Sequence, residues 1–71
     1  MYYPRLKALR EDRDIKQEEI AWLLGINQPV YSNYETGKRE IPERYLVKLA
    51  QYYHVSADYI LGRTNNKTPY L

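Results

Sequence analysis

Gln17–Glu35 reads QEEIAWLLGINQPVYSNYE, and this stretch decides the fold because it must hold two short helices that meet at a sharp turn. Ile20, Ala21 and Leu24 fall at helical intervals and form one apolar face, while Gln17, Glu18 and Glu19 stay polar. Ala21 is small and stands one turn before Gly25, which suits a point where a second helix crosses close above the first; a larger residue there should push the helices apart. Gly25 can take the left-handed conformation that ends a helix at little steric cost. Asn27 then offers a side-chain oxygen to the backbone N–H of Val30 as an N-cap. Pro29 lies in the first turn, where its missing N–H leaves no intrahelical bond unmade. Tyr31 and Tyr34 are three apart and face inward, so Gln28, Pro29, Ser32 and Asn33 are left on the outer side near the helix start.

Around this core the chain reads as further helices. The first is expected from about Pro4 to Arg13, with Leu6 and Leu9 inward and Asp14 ending it in a left-handed turn. Ile15 can staple against Ile20, although Lys16 at the N-cap offers no acceptor. After the third helix, ETGKREIP supplies Gly37 as a stop, a basic pair and Pro42 as the expected first residue of helix four. Tyr45, Leu46, Leu49, Ala50 and Tyr53 make one stripe on that helix. Ser56 caps a fifth helix, Val55 and Ile60 staple its first turn, and Gly62 closes it. RTNNKTPYL, from Arg63, has no periodicity and reads as a frayed or docked tail. The expected division is a helical domain over 1–62 and a tail over 63–71, with no strand pattern and no internal repeat.

Composition narrows the function. The 71 residues make one domain close to the lower size limit for an unstapled core, and the absence of cysteine excludes disulfides and thiolate metal sites. MYYPRLK lacks the apolar run of a signal peptide and no long apolar span follows, so a soluble cytoplasmic protein is expected. The net charge is +2. Up to Gly25 basic and acidic residues balance; beyond it Lys38, Arg39, Arg44, Lys48, Arg63 and Lys67 face only Glu35, Glu40, Glu43 and Asp58. A basic bias just after the third helix can attract phosphates without a large global charge. Two helices joined by a tight turn, the second with an outward polar edge, suit a helix laid in the DNA major groove.

These features together resemble the lambdoid phage repressor and Cro type of helix-turn-helix domain, the xenobiotic-response-element family. LKALRED, QEEIAWLLGI, YETGKREIP and VSADYILG carry the resemblance over about Leu6 to Leu61. It implies an all-α, compact five-helix bundle with helices 2 and 3 forming the helix-turn-helix, and a sequence-specific DNA-binding regulator, commonly a repressor in a phage or bacterial genome. Its expected partners are a double-stranded DNA operator and a second copy of the chain. Matched position by position, it implies that Gln28, Ser32, Asn33 and Pro29 touch base edges. Glutamine and asparagine each suit adenine N6 and N7, whereas Pro29 offers only contact with a thymine methyl or sugar edge. Gln17 is expected to anchor a phosphate and pack on the next reading side chain, and Lys38 and Arg39 to grip the backbone. Arg10 and Glu35 look like the family's structural ion pair between helices one and three.

Other readings compete at particular residues. The three polar side chains of helix three could be a solvated face, and Lys38 and Arg39 ordinary surface charge; the turn context favours DNA. Tyr31 could point its hydroxyl at a phosphate while its ring stays in the core. Tyr45, Tyr53 and Tyr59 sit at core-facing intervals and read as packing residues with a wet hydroxyl end rather than stacking platforms. His54 is a surface or capping group, since one histidine without cysteines makes no zinc site. Adjacent carboxylates such as Glu18 and Glu19 diverge on a helix, so no acid and base pair forms, and neither metal, cofactor nor enzymatic activity is expected. Trp22 sits where the family commonly has a charged residue; with Leu23 it either covers the core edge or marks a surface for a protein partner. In the latter case the chain would be an antitoxin-like or other interaction module, with the tail TPYL as part of that surface. A module of a longer protein is a third reading.

Overall fold

A computed structural model describes residues 2–68 of the chain. It contains five helices, α1 (Pro4–Asp12), α2 (Gln17–Leu24), α3 (Gln28–Thr36), α4 (Glu43–Tyr53) and α5 (Ala57–Ile60), and no strand among the described residues. The all-α five-helix expectation is met. One core cluster draws on every helix: Leu6 and Leu9 from α1, Ile20, Ala21 and Leu24 from α2, Tyr31 and Tyr34 from α3, Leu46, Leu49, Ala50 and Tyr53 from α4, and Ile60 from α5. Removing this apolar area from water, at about 25 cal/mol per Å², is what holds five short helices together, since none is long enough to persist alone.

The helix ends follow from local chemistry, with small shifts from expectation. Asp14 takes a left-handed φ of 54°, and α1 closes at Asp12 with Arg13 as its C-cap. Lys16 caps α2 with no side-chain hydrogen bond, as its chemistry requires, and Ile15 packs on the core. Pro42 is the N-cap of α4 instead of its first helical residue. Its ring fixes φ at −61°, but ψ is extended at 148°, and its carbonyl accepts from the N–H groups of Tyr45 and Leu46. His54 ends α4 in the left-handed region, so it is the expected capping group. The Ser56 hydroxyl accepts from the Tyr59 N–H at 3.0 Å.

The segment after Gly62 is docked, not frayed, as far as it is described. Arg5 holds it: Nη1 donates to the carbonyls of Tyr59 (2.8 Å) and Thr64 (2.6 Å), and Nη2 donates to Asn65 Oδ1 (2.6 Å). The same guanidinium lies 4.0 Å from the Tyr59 ring centroid. The backbone N–H of Ser56 donates to the Lys67 carbonyl. Of the suggested TPYL surface, Pro69, Tyr70 and Leu71 lie outside the described residues.

Tyr53 differs from the wet-ended packing residue expected. It is fully buried, and its hydroxyl has no hydrogen-bond partner among the described residues. Burial pushes its ionisation up. A buried hydroxyl without a partner carries a desolvation cost that a phenyl ring avoids. Tyr53→Phe should therefore leave the fold as stable or make it more stable by about 1 kcal/mol. Urea unfolding measures this; a loss of about 1 kcal/mol or more would show that the hydroxyl is satisfied.

Candidate nucleic-acid interface

The turn between α2 and α3 is built as its residues dictate. Gly25 adopts φ 73°, and the Ile26 N–H returns to the Ala21 carbonyl at 3.0 Å, closing the helix end. Ala21 is buried on the inner face of α2, and α2 packs against α3. The Asn27 side chain accepts from the Val30 N–H at 3.0 Å and starts α3 with Pro29 in its first turn. Tyr31 and Tyr34 anchor the inner face. On the outer face Pro29 is exposed, and Gln28, Ser32 and Asn33 are half-buried, so the four residues form one solvent-reaching edge that no neighbouring helix seals.

The basic pair is tied to the same edge. The Arg39 N–H donates to the Asn33 carbonyl at 3.1 Å, folding the loop back on the end of α3 with Lys38 and Arg39 exposed. Gly37 permits this. Its φ is 81°, and a Cβ there would lie 3.1 Å from the Tyr2 Cβ. A side chain at this position is both strained and crowded.

Beneath the edge runs a chain of side-chain hydrogen bonds. Arg10 Nε donates to Glu35 Oε2 at 2.6 Å, Arg10 Nη2 donates to Glu35 Oε1 at 3.1 Å, and Arg10 Nη1 donates to the Ile15 carbonyl at 2.8 Å. Gln17 Nε2 donates to Glu35 Oε1 at 3.1 Å, and Gln28 Nε2 donates to Gln17 Oε1 at 2.6 Å. The pair of Arg10 and Glu35 matches the expected structural ion pair. Burial alone would raise the Glu35 pKa, yet hydrogen bonds from Arg10 and Gln17 outweigh it and hold the carboxyl below its ordinary value. The Glu35 hydrogen bond in turn raises the Arg10 pKa. Helical spacing gives no sign of the bond from Gln17 to Glu35, because positions 17 and 35 lie on different helices and no periodicity links them.

Tyr31 does not face a phosphate position. It is fully buried, and its hydroxyl lies beside Glu35 outside hydrogen-bonding geometry and closed off from solvent. Burial and the Glu35 charge both push its ionisation up. The ring-in, hydroxyl-out arrangement fails because the hydroxyl end, too, points into the core.

Trp22 is 83% exposed, so it does not cover the core edge. With Leu23 and Tyr52 it lines a shallow groove of about 380 Å³ flanked by Glu18 and Glu19. Among the described residues no group of three or more histidine, cysteine, aspartate or glutamate side chains could hold a metal. No described helix is long and apolar enough to cross a membrane.

The model of the helix-turn-helix family matches residues 6–60. The chain belongs to the helix-turn-helix family. Its match to that family covers α2 and α3, the turn between them and the supporting helices, as the resemblance to phage repressors and Cro implied. The chain is 41% identical over 69 residues to the uncharacterized HTH-type transcriptional regulator YobD of Bacillus subtilis (strain 168), covering 97% of this chain and 62% of that protein. It is also 41% identical to the HTH-type transcriptional regulator ImmR of the same organism, covering 83% of this chain and 46% of the other. It is 34% identical to the cryptic phage CTXphi transcriptional repressor RstR of Vibrio cholerae, covering 78% of this chain and 50% of the repressor. A crystal structure of a transcriptional regulator from Listeria innocua superposes with a TM-score of 0.81 at 27% identity, over 87% of this chain and 58% of that one. These proteins are named as transcriptional regulators or repressors, and the chain spans less than two thirds of the length of each.

Proposed function

We propose that this chain is a sequence-specific double-stranded DNA-binding module of a transcriptional regulator, acting as a repressor without catalysis in the cytoplasm. The observation that carries the reading is the open α3 edge of Gln28, Pro29, Ser32 and Asn33, with the Gln28 amide already held by Gln17 and the basic loop tied to its end. A helix start of this kind enters the major groove, and two copies bind half-sites about one helical turn, roughly 34 Å, apart. In this reading Gln28, Ser32 and Asn33 meet base edges and Pro29 meets a thymine methyl or sugar. Gln17, through the amide N–H that Glu35 does not use, joins Lys38 and Arg39 on the phosphates.

Selection of bound duplexes from a random DNA pool tests this directly and should return two related half-sites. On the recovered operator Gln28→Ala should cost about 1 to 3 kcal/mol in binding and little on unrelated DNA, because it removes base readout. Equal losses on both would make Gln28 a positioning group. Lys38→Ala should reduce the slope of log affinity against log salt by roughly 0.9, the share of one phosphate. An unchanged slope would place Lys38 off the DNA.

The exposed groove of Trp22, Leu23 and Tyr52 favours a second, compatible reading in which the outer face of α2 binds a protein, as an antitoxin-like module would. Trp22→Glu should then abolish capture of that partner and leave DNA binding intact, whereas Asn33→Ala should do the reverse.

A further inference from the structure

We propose that Glu35, which does not reach the outer edge of α3, fixes the donor and acceptor polarity with which Gln28 meets a base pair, and that it does so through Gln17. The inference rests on the base-reading role proposed above. Glu35 is nearly sealed, with its side chain 2% exposed, and its two carboxylate oxygens can only accept. Arg10 holds that carboxylate through two N–H groups. The amide of Gln17 must therefore turn its nitrogen toward Glu35 Oε1, as the 3.1 Å contact shows. The reversed amide would set two acceptor oxygens against each other at this distance with no proton between them.

The consequence passes outward. With its nitrogen turned in, Gln17 presents Oε1 to Gln28, and only a donor satisfies it. Gln28 Nε2 does so at 2.6 Å. One Gln28 N–H is thereby committed, leaving one N–H and Oε1 for a ligand. That is one donor and one acceptor in fixed order. Adenine offers the complementary N7 acceptor and N6 donor in the major groove; guanine offers two acceptors, N7 and O6, one of which would oppose Oε1. A glutamine free to rotate could swing its nitrogen round and meet either purine. Glu35 is thus a positioning residue for discrimination, and its role differs from merely holding α1 to α3.

Replacing Glu35 by glutamine makes the logic run backwards. Arg10 takes the introduced amide oxygen, so the introduced nitrogen faces Gln17 and demands its oxygen. Gln17 then shows nitrogen to Gln28, and the Gln28 amide turns over. Random-pool selection with the wild-type protein, Gln28→Ala and Glu35→Gln tests this. Gln28→Ala identifies the base position that Gln28 reads; there the wild type should prefer adenine, and Glu35→Gln should reduce the preference over guanine about fivefold or more. The other positions and the half-site spacing should hold. Should Glu35→Gln not fold, Arg10→Met with Glu35→Met removes both charges together, a change that buried pairs tolerate. It should broaden the same position.

A position that Gln28→Ala relaxes and that both Glu35 variants leave sharp overturns the relay alone. A Gln28→Ala variant that relaxes no position overturns the base-reading role itself. The wild-type protein without DNA gives an independent check by NMR. The side-chain amide protons of Gln17 should exchange with water more slowly than those of exposed Gln51, and equal rates would overturn the relay.

Discussion

Glu35→Ala should destabilise the domain by about 3 to 5 kcal/mol, the loss expected when one partner of a buried ion pair is removed and the other is stranded. Arg10 would keep its charge beside the core with the Ile15 carbonyl as its one remaining hydrogen-bond acceptor among the described residues. Gln17 would lose its acceptor. At roughly 0.05 to 0.15 kcal/mol per residue, a domain of this size holds only some 4 to 11 kcal/mol in all, so the variant should be partly unfolded near physiological temperature. Thermal unfolding followed by circular dichroism should place its midpoint at least about 10 °C below the wild type. A shift of only a few degrees would show the pair to be surface-like.

The same carboxylate sets the response to acid. Its folded-state pKa lies below the ordinary value of 4.5, so the folded protein binds fewer protons than the unfolded chain in that range. The Glu35 contribution is therefore complete above about pH 4.5 and is lost as pH falls through the lower folded-state value. Wild-type stability should drop with a steeper slope there than that of Glu35→Ala. Arg10→Met with Glu35→Met should be milder than either single truncation, since no charge is left alone.

Ile20→Ala should cost about 2 to 5 kcal/mol. Ile20 is buried on α2, in the cluster that ties this helix to the rest of the core, and truncation leaves a cavity that short, capped helices can close only in part. This loss differs in kind from that of Gln28→Ala. Ile20 shows no surface to a ligand, so its truncation acts by lowering the folded fraction, and saturating duplex DNA should recover much of the unfolding midpoint. Gln28→Ala should leave the midpoint within about 0.5 kcal/mol of the wild type while weakening binding. If Ile20→Ala weakened DNA binding at a temperature where it is fully folded, the α2 core would be part of the readout and not only its support.

What could be read from the sequence was what is local. Gly25, Asn27 and Pro29 act within four residues of themselves, Ser56 caps α5 through the Tyr59 N–H three residues on, and the structure uses each as its backbone chemistry dictates. Burial of Ile20, Leu24, Leu46 and Leu49 follows from helical spacing alone. What could not be read joins distant residues. Arg5 reaches the carbonyls of Tyr59 and Thr64, and Gln17 reaches Glu35, through long side chains whose direction no periodicity reveals. Tyrosine misled for a related reason. An inward ring was legible at Tyr31 and Tyr53, but whether the hydroxyl emerges depends on the depth of packing above it, and in both it does not. Pro42 missed by one position because a fixed φ leaves ψ free, and ψ decides whether the residue caps or enters the helix.

Groove reading of the proposed kind requires the α3 edge and the loop beside it to meet the DNA. Titration of the isotope-labelled protein with its selected duplex, followed by backbone and side-chain amide NMR shifts, tests this most directly. Gln28, Ser32, Asn33, Lys38 and Arg39 should shift together with the Gln17 and Gln28 side-chain amides, while the Trp22 indole N–H stays in place. Shifts centred on Trp22, Leu23 and Tyr52, with α3 unmoved, would contradict it.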